Sequence, residues 1–115
     1  MRPTELPKYL EHVIEKLHAV GVPATISPDQ IPVPGAWVMV SNIEDRFLSG
    51  EITGGEYEVT LVARDTGTVS ALAQLCEMME LVGQALPVAA GCEITTLRLP
   101  GQGGVLPAIT LTYEL

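Results

Sequence analysis

Apolar and polar residues alternate along residues 55–65, GEYEVTLVARD. A period of two places successive side chains on opposite faces of a β-strand, so this segment predicts a strand with one apolar and one polar face. We expect the apolar face to pack against helices and to form part of the core. That leaves three interpretations of the polar face: it meets water, a neighbouring subunit or passing DNA. The predicted core residues of this strand are Tyr57, Val59, Leu61 and Ala63.

Two segments carry apolar residues at helical spacing. The first covers residues 6–20 and ends at Gly21, a residue suited to a helix stop. The second covers residues 69–86 and is ended by Pro87. Its pattern predicts one buried stripe, made of Val69, Leu72, Leu75, Cys76, Met79, Val82, Gly83 and Leu86.

Four shorter strands complete the prediction, at residues 23–27, 36–41, 93–99 and 106–115. The last two are joined by a glycine-rich turn, PGQGG, and read as a hairpin. The resulting order α-β-β-β-α-β-β predicts one α+β domain over residues 1–115. We expect a mostly antiparallel sheet with two helices packed on one face.

A long connection, NIEDRFLSGEITGG, joins the predicted strand 36–41 to the strand beginning at residue 55. It exceeds an ordinary hairpin loop, so either the strands extend into a β-arm or residues 42–55 form a mobile loop. Apolar residues lie among its charges, which is unusual for a purely solvated loop tip. We therefore predict an assembly interface here, with these contact residues: Ile43, Arg46, Phe47, Leu48 and Ile52.

Composition narrows the classes of partner. Hydrophobic residues make up 47% of the 115-residue chain, and the mean hydropathy is +0.31. These values are high for a small soluble monomer and favour burial of surface against other subunits. The formal net charge is −8, with only six basic residues scattered along the chain. Because a specific DNA-binding protein contacts about 6 to 10 phosphates, the sequence disfavours DNA recognition, and it disfavours binding to anionic membranes too.

Candidate catalytic and metal-binding residues are few. His12 and His18 are six residues apart on the first helix, which is not the spacing of a helical zinc site. Glu44 and Asp45 are adjacent carboxylates without a nearby nucleophile. The turn PGQGG is flanked by strands, unlike a nucleotide-binding loop, which precedes a helix. We expect no catalytic residue, no metal site and no cofactor.

The two cysteines, Cys76 and Cys92, lack the spacing of a metal site. Cys76 falls on the predicted apolar stripe of the second helix. We expect both residues to be buried, reduced thiols, which is the common state of free cysteine.

An ordered series of segments spans nearly the whole chain. It runs YLEHVIEKLHAVGV, ATISPDQIPVPGAWVMV, YEVTLVARDTG, VSALAQLCEMMELVGQAL and LRLPGQGGVLPAITLTYEL. This series resembles the tail terminator, or tail-to-head joining, proteins of long-tailed siphophages of actinobacterial hosts. The likeness lies in the order of the predicted elements and in the Pro and Gly residues between them, and it includes no catalytic motif.

The resemblance implies a structural virion protein that is not an enzyme. Such a subunit forms a hexameric ring on the last ring of tail-tube protein, stops polymerisation of the tube, and presents the surface that meets the head-tail connector or head completion protein. It assembles in the host cytoplasm and ends in the neck region of the tail. DNA passes through the ring without specific binding. Other phage neck, head-tail completion or tail-tube proteins share parts of this layout and remain alternatives.

Within such a ring, we expect one polar sheet face to point towards the lumen. Like charge would keep passing DNA from adhering to it. Contact with water or with a neighbouring subunit is an equally good interpretation. The competing hypothesis is a small ligand-binding or regulatory α+β domain with Trp37 or Tyr57 in its pocket. The predicted lumen residues are Glu58, Thr60, Thr110, Thr112 and Glu114.

Overall fold

The computed structural model describes residues 1–44, 50–99 and 104–115. Its elements follow the predicted order α-β-β-β-α-β-β, which confirms the α+β prediction. The two helices are α1, Leu6–Ala19, and α2, Thr68–Ala85. The strands are β1, Ala24–Thr25; β2, Gly35–Ile43; β3, Gly55–Val62; β4, Gly91–Arg98; and β5, Val105–Glu114.

The five strands form one sheet in the order β1-β2-β3-β5-β4. Of the strand pairs within the described residues, β1–β2 is parallel and the other three are antiparallel. β1 is so short that it pairs with β2 only at Ala36 and Trp37. Among the described strands, β4 therefore forms one edge of the sheet, and residues 38–43 of β2 form much of the other.

Both helices pack on one face of the sheet and enclose the main core. The alternating pattern of β3 places its odd-numbered residues there, as predicted, and Tyr57, Val59, Leu61 and Ala63 are all buried. The helices contribute Val13 and Leu17 from α1, with Ala71, Leu75, Met78 and Val82 from α2. We call the opposite side of the sheet the helix-free face.

A second, smaller cluster covers one end of the helix-free face. Val62, Leu106 and Ala108 are buried there together with Leu99. The proline-rich segment before β2 supplies Ile31 and Val33, which pack against this cluster. Gly35 makes the close approach possible, because a Cβ atom at this position would lie 2.7 Å from the carbonyl oxygen of Pro32.

The orientation of α2 differs from the sequence prediction. Its buried residues are Ala71, Leu75, Met78 and Val82, whereas Leu72 is 46% exposed and Val69 is 83% exposed. The predicted stripe was right for Leu75 and Val82, which are buried, and wrong for Leu72 and Val69. It failed in part because α2 is apolar on two neighbouring sides, and periodicity alone does not decide which side packs on the sheet.

The predicted burial of the two cysteines was also wrong, whereas their prediction as free thiols is confirmed. Cys76 and Cys92 are both exposed, free thiols. Cys76 lies on the second apolar side of α2, and Cys92 lies on the edge strand β4.

Candidate functional site

The helix-free face gathers the five residues that the sequence assigns to the lumen. Glu58 pairs with Thr112, Thr60 pairs with Thr110, and Glu114 pairs with Glu56, all between the neighbouring strands β3 and β5. Directly opposite residues of a sheet point to the same side. The five side chains therefore share one surface in the middle of the sheet.

These five residues are not equally accessible. Thr60 is only 5% exposed, and its Oγ1 atom lies 3.2 Å from Oγ1 of Thr110. Glu58, Thr110 and Thr112 are partly exposed, while Glu114 is exposed. Thr60 thus contributes to the packing of this face, and the other four form its accessible surface.

The helix-free face carries more carboxylates than the sequence analysis assigned to it. Glu56 lies directly opposite Glu114, and Glu93 of β4 lies opposite Thr110. With Glu58, four carboxylates share this side of the sheet. Directly opposed like charges weaken a sheet, and a surface of one sign repels an anionic polymer. The alternation of residues along β3 was enough to place Glu56 on this face. Glu93 could be placed there only from the register between β4 and β5.

The long connection is only partly described. Arg46, Phe47 and Leu48 of the predicted interface lie outside the described residues. Ile43, at the end of β2, is 41% exposed. The backbone N–H of Glu44 donates to the carbonyl of Gly54 at 2.9 Å, so the two strands remain paired just beyond Ile43.

Ile52 lies inside its own subunit. It is 6% exposed, and its N–H donates to the carbonyl of Met1 at 2.7 Å. The amino group of Met1 in turn donates to the carbonyl of Ile52 at 3.1 Å. The side chain of Ile52 is therefore not available to a partner in this structure, and its predicted interface role must be corrected to a contact with the N-terminus.

An apolar groove runs between α2 and the edge strand β4. Its first part has a volume of about 410 Å³ and is lined by Leu72 and Leu75 of α2, Ile94 of β4 and Pro107 of β5. Ile94 is 75% exposed, which is unusual for a large apolar side chain beside a core. We call this surface the α2–β4 groove.

The groove has a counterpart on the same side of α2, towards the end of the helix. This second cavity of about 330 Å³ is lined by Met79, Gly83, Val88, Leu111 and Tyr113 among others. Val88 is 96% exposed. Sequence reasoning missed both cavities because they depend on the rotation of α2 and on the edge position of β4.

The histidines make local contacts. Nε2 of His18 lies 3.2 Å from the backbone N and 3.1 Å from the carbonyl O of Ala24, which ties the end of α1 to β1. Nδ1 of His12 lies 3.6 Å from a carboxylate oxygen of Glu15. Within residues 1–44, 50–99 and 104–115, no group of three or more His, Cys, Asp or Glu residues is arranged to hold a metal ion.

The two aromatic residues proposed for a ligand pocket lie on opposite sides of the sheet. Tyr57 is 2% exposed in the main core. Trp37 pairs with Thr60 and so lies on the helix-free face, where its Nε1 atom donates to the carbonyl of Ile26 at 3.3 Å. Tyr57 is therefore closed off from any surface pocket, whereas Trp37 lies on the side of the sheet that the helices leave open.

In the part of the chain that the structure describes, no helix is long and apolar enough to cross a membrane. No family model matches the chain, and no curated protein matches it.

Proposed function

We propose that this chain is a tail terminator of a long-tailed bacteriophage. It would form a ring on the end of the tail tube, stop its growth and provide the surface for head attachment. The observation that carries this proposal is the combination of an apolar groove at one sheet edge with an acidic helix-free face. The sequence resemblance supplies the identity of the assembly, and the two surfaces support a role in it.

The apolar groove supports self-assembly. Ile94, Leu72 and Val88 are exposed on one side of the molecule, and clustered exposed apolar residues mark interaction sites. The groove lies at one edge of the sheet, so the surface it offers is not repeated at the other edge. Contacts between two different surfaces of identical subunits are head-to-tail, and they give a ring when the rotation closes.

The acidic helix-free face supports a role that requires passage of DNA without binding. Four carboxylates on neighbouring strands give this face a negative potential, and the phosphates of DNA are repelled by it. Thr110 and Thr112 add short polar side chains between these charges. In the proposed ring this face lines the lumen.

Termination would then be geometric. One side of the ring copies the contacts of the tube and binds the last ring of tail-tube protein. The opposite side lacks those contacts and instead meets the head-tail connector or head completion protein. We place Arg46, Phe47 and Leu48 of the connection in contact with one of these partners, and Ile43 in a contact between neighbouring subunits. No cofactor, membrane contact or catalytic step is part of this function.

A small-molecule binding domain is a second candidate, because the volume of the α2–β4 groove falls within the range of about 300–1,000 Å³ typical of ligand sites. Native mass spectrometry separates the two candidates. A terminator is expected to form a ring alone or on isolated tail tubes. A ligand-binding domain is expected to remain a monomer or small closed oligomer in both settings.

Deletion of the coding sequence from the phage genome tests the proposed function directly. We expect electron micrographs to show tubes longer than those of the wild type and without heads, because nothing stops addition of tube protein. Wild-type protein supplied in trans is the control and should restore tube length and head attachment. Headed tails of normal length in the deletion would contradict the proposal, and complete absence of tubes would indicate a tube protein.

A further inference from the structure

In the part of the chain that the structure describes, the sheet has two free edges, and they lie on opposite sides of the subunit. β4, Gly91–Arg98, is an edge strand along its whole length. At the other edge, β1 pairs with β2 only at Ala36 and Trp37. Residues 38–43 of β2 pair with β3 on one side, and no described strand lies on their other side. An exposed edge presents unpaired backbone N–H and C=O groups and is a template for pairing with another chain.

We propose that β4 of one subunit pairs with residues 38–43 of β2 in the next subunit. The occupant of the α2–β4 groove is then a second copy of this chain. This contact deepens the proposed function and rests on the ring that it requires. It also predicts which surfaces the neighbouring subunits use.

The directions of the strands fit this contact. Within the subunit, β2 is antiparallel to β3, β3 is antiparallel to β5, and β5 is antiparallel to β4. β2 therefore runs opposite to β4. Rotation about a ring axis that runs roughly parallel to the strands preserves strand direction from one subunit to the next. β2 of the next subunit therefore meets β4 as an antiparallel partner. The same rotation keeps all helices on one side and all helix-free faces on the other.

The register follows from the tilt of strands in a closed sheet. Within one subunit, Met39, Glu58, Thr112 and Gly91 lie at the same level on β2, β3, β5 and β4. Barrel strands are staggered by about one residue per strand, as in a barrel of eight strands with shear 8. The four strands therefore shift the next copy by about four residues. With the right-handed twist of sheets and helices outside, the shift brings Met39 opposite Thr95 instead of Gly91.

This register places apolar residues of the two edges opposite one another. Val40 of the next subunit falls opposite Ile94, which is 75% exposed in the isolated subunit. The register of β2 shifts by one residue between Val40 and Asn42. With the same extra residue in β2 at the new contact, Ile43 falls opposite Cys92. Both members of each pair point to the helix side, where the α2–β4 groove lies. The contact thus covers Ile94 and the wall of the groove with apolar side chains.

The exposed thiol of Cys92 provides the test. In a Cys76→Ser background, Ile43→Cys places a second thiol on the free edge of β2. A short thiol-to-thiol cross-linker should then join neighbouring subunits into a ladder of dimers, trimers and larger species. Ala19→Cys, at the exposed end of α1, is the matched control. Two thiols that the contact keeps close together react at an effective concentration of about millimolar. We therefore expect at least roughly ten-fold more cross-linking than in the control.

The outcomes separate the contact from the ring. Cross-linking of Ile43→Cys to Cys92, confirmed by peptide mapping, supports the contact. Dimers linked only through Cys92 to Cys92 in the Cys76→Ser background would overturn it, because they indicate a two-fold contact of β4 with itself. Rings seen by electron microscopy with no Ile43–Cys92 link would also overturn the contact and leave the proposed terminator intact. Protein that stays monomeric, even with isolated tail tubes, would contradict both.

Discussion

Three tyrosines contact one another in the main core, where Tyr57 and Tyr113 are buried and Tyr9 is partly buried. The rings of Tyr57 and Tyr113 are stacked with centroids 5.3 Å apart, and the rings of Tyr9 and Tyr57 form an edge-to-face pair with centroids 5.8 Å apart. Burial raises the pKa of Tyr57 well above its ordinary value, and the neighbouring hydroxyl of Tyr9 raises it further. Burial also raises the pKa of Tyr113. Both hydroxyls therefore remain neutral in the folded protein at pH values where a free tyrosine ionises.

This shift predicts a stability loss at high pH that Tyr57→Phe reduces. The pKa of Tyr57 in the folded state lies above the unfolded value of about 10. The contribution of its neutral hydroxyl to the free energy of unfolding is therefore fully present below about pH 10 and is lost as pH rises above it. The variant has no hydroxyl to ionise at this position. Urea unfolding from about pH 8 to about pH 11 should show a shallower alkaline decrease in the free energy of unfolding. An equally steep decrease would contradict the prediction.

At the scale of the element, α2 divides its apolar residues between two tasks. Leu75 is 2% exposed and packs in the core, while Leu72, three residues earlier, is 46% exposed beside the α2–β4 groove. The outer side of the helix carries its only two charges, Glu77 and Glu80. A helix that is apolar on both its sheet side and one flank is suited to an assembly subunit, because the flank gains a partner only after folding.

Matched substitutions at Leu75 and Leu72 should separate folding from assembly. Leu75→Ala leaves a cavity in the core and should cost about 2–5 kcal/mol of stability. Leu72→Ala removes the same atoms from a half-exposed site and should cost under about 1 kcal/mol. Denaturant unfolding measures both changes, and light scattering of the ring measures assembly. We expect Leu72→Ala to weaken assembly while its fold is retained. Full assembly of that variant would argue against burial of Leu72 between subunits.

The sequence alone was enough to predict the features that depend on the local pattern of apolar and polar residues. The alternation in residues 55–65 correctly predicted the buried side of β3, because only one side is apolar enough to pack against helices. The pattern in α2 found the buried residues Leu75 and Val82 but misplaced Leu72, because two sides of the helix are apolar and the choice between them depends on where β4 lies. The acidic residue Glu93 and the burial of Ile52 likewise depend on contacts between distant segments. The spacing of apolar residues within one element predicts neither the register between β4 and β5 nor the backbone contact between Met1 and Ile52.

For the whole molecule, the two sides of the sheet have opposite characters. The helix side encloses the main core, and the helix-free face carries four carboxylates around its threonines. One end of that face is closed by the cluster around Val62 and Ala108. The accessible acidic surface is therefore confined to the remaining part of β3, β5 and β4. If the subunits continue one another's sheets, these surfaces join into an acidic band around the lumen.

The acidic band predicts how charge reversal affects DNA passage. Glu58→Lys with Glu114→Lys should slow DNA ejection from assembled particles, because a ring of cations holds the phosphates electrostatically. The fold should tolerate the change, since Glu114→Lys replaces a like-charged pair with Glu56 by an opposite-charged one. Glu11→Lys with Glu77→Lys makes the same charge change at exposed positions of α1 and α2. In single-particle ejection measurements, slowing by the first pair alone locates the helix-free face at the lumen, whereas equal slowing by both pairs indicates an effect of net charge. Unchanged ejection with the first pair places this face away from DNA, against water or a neighbouring subunit.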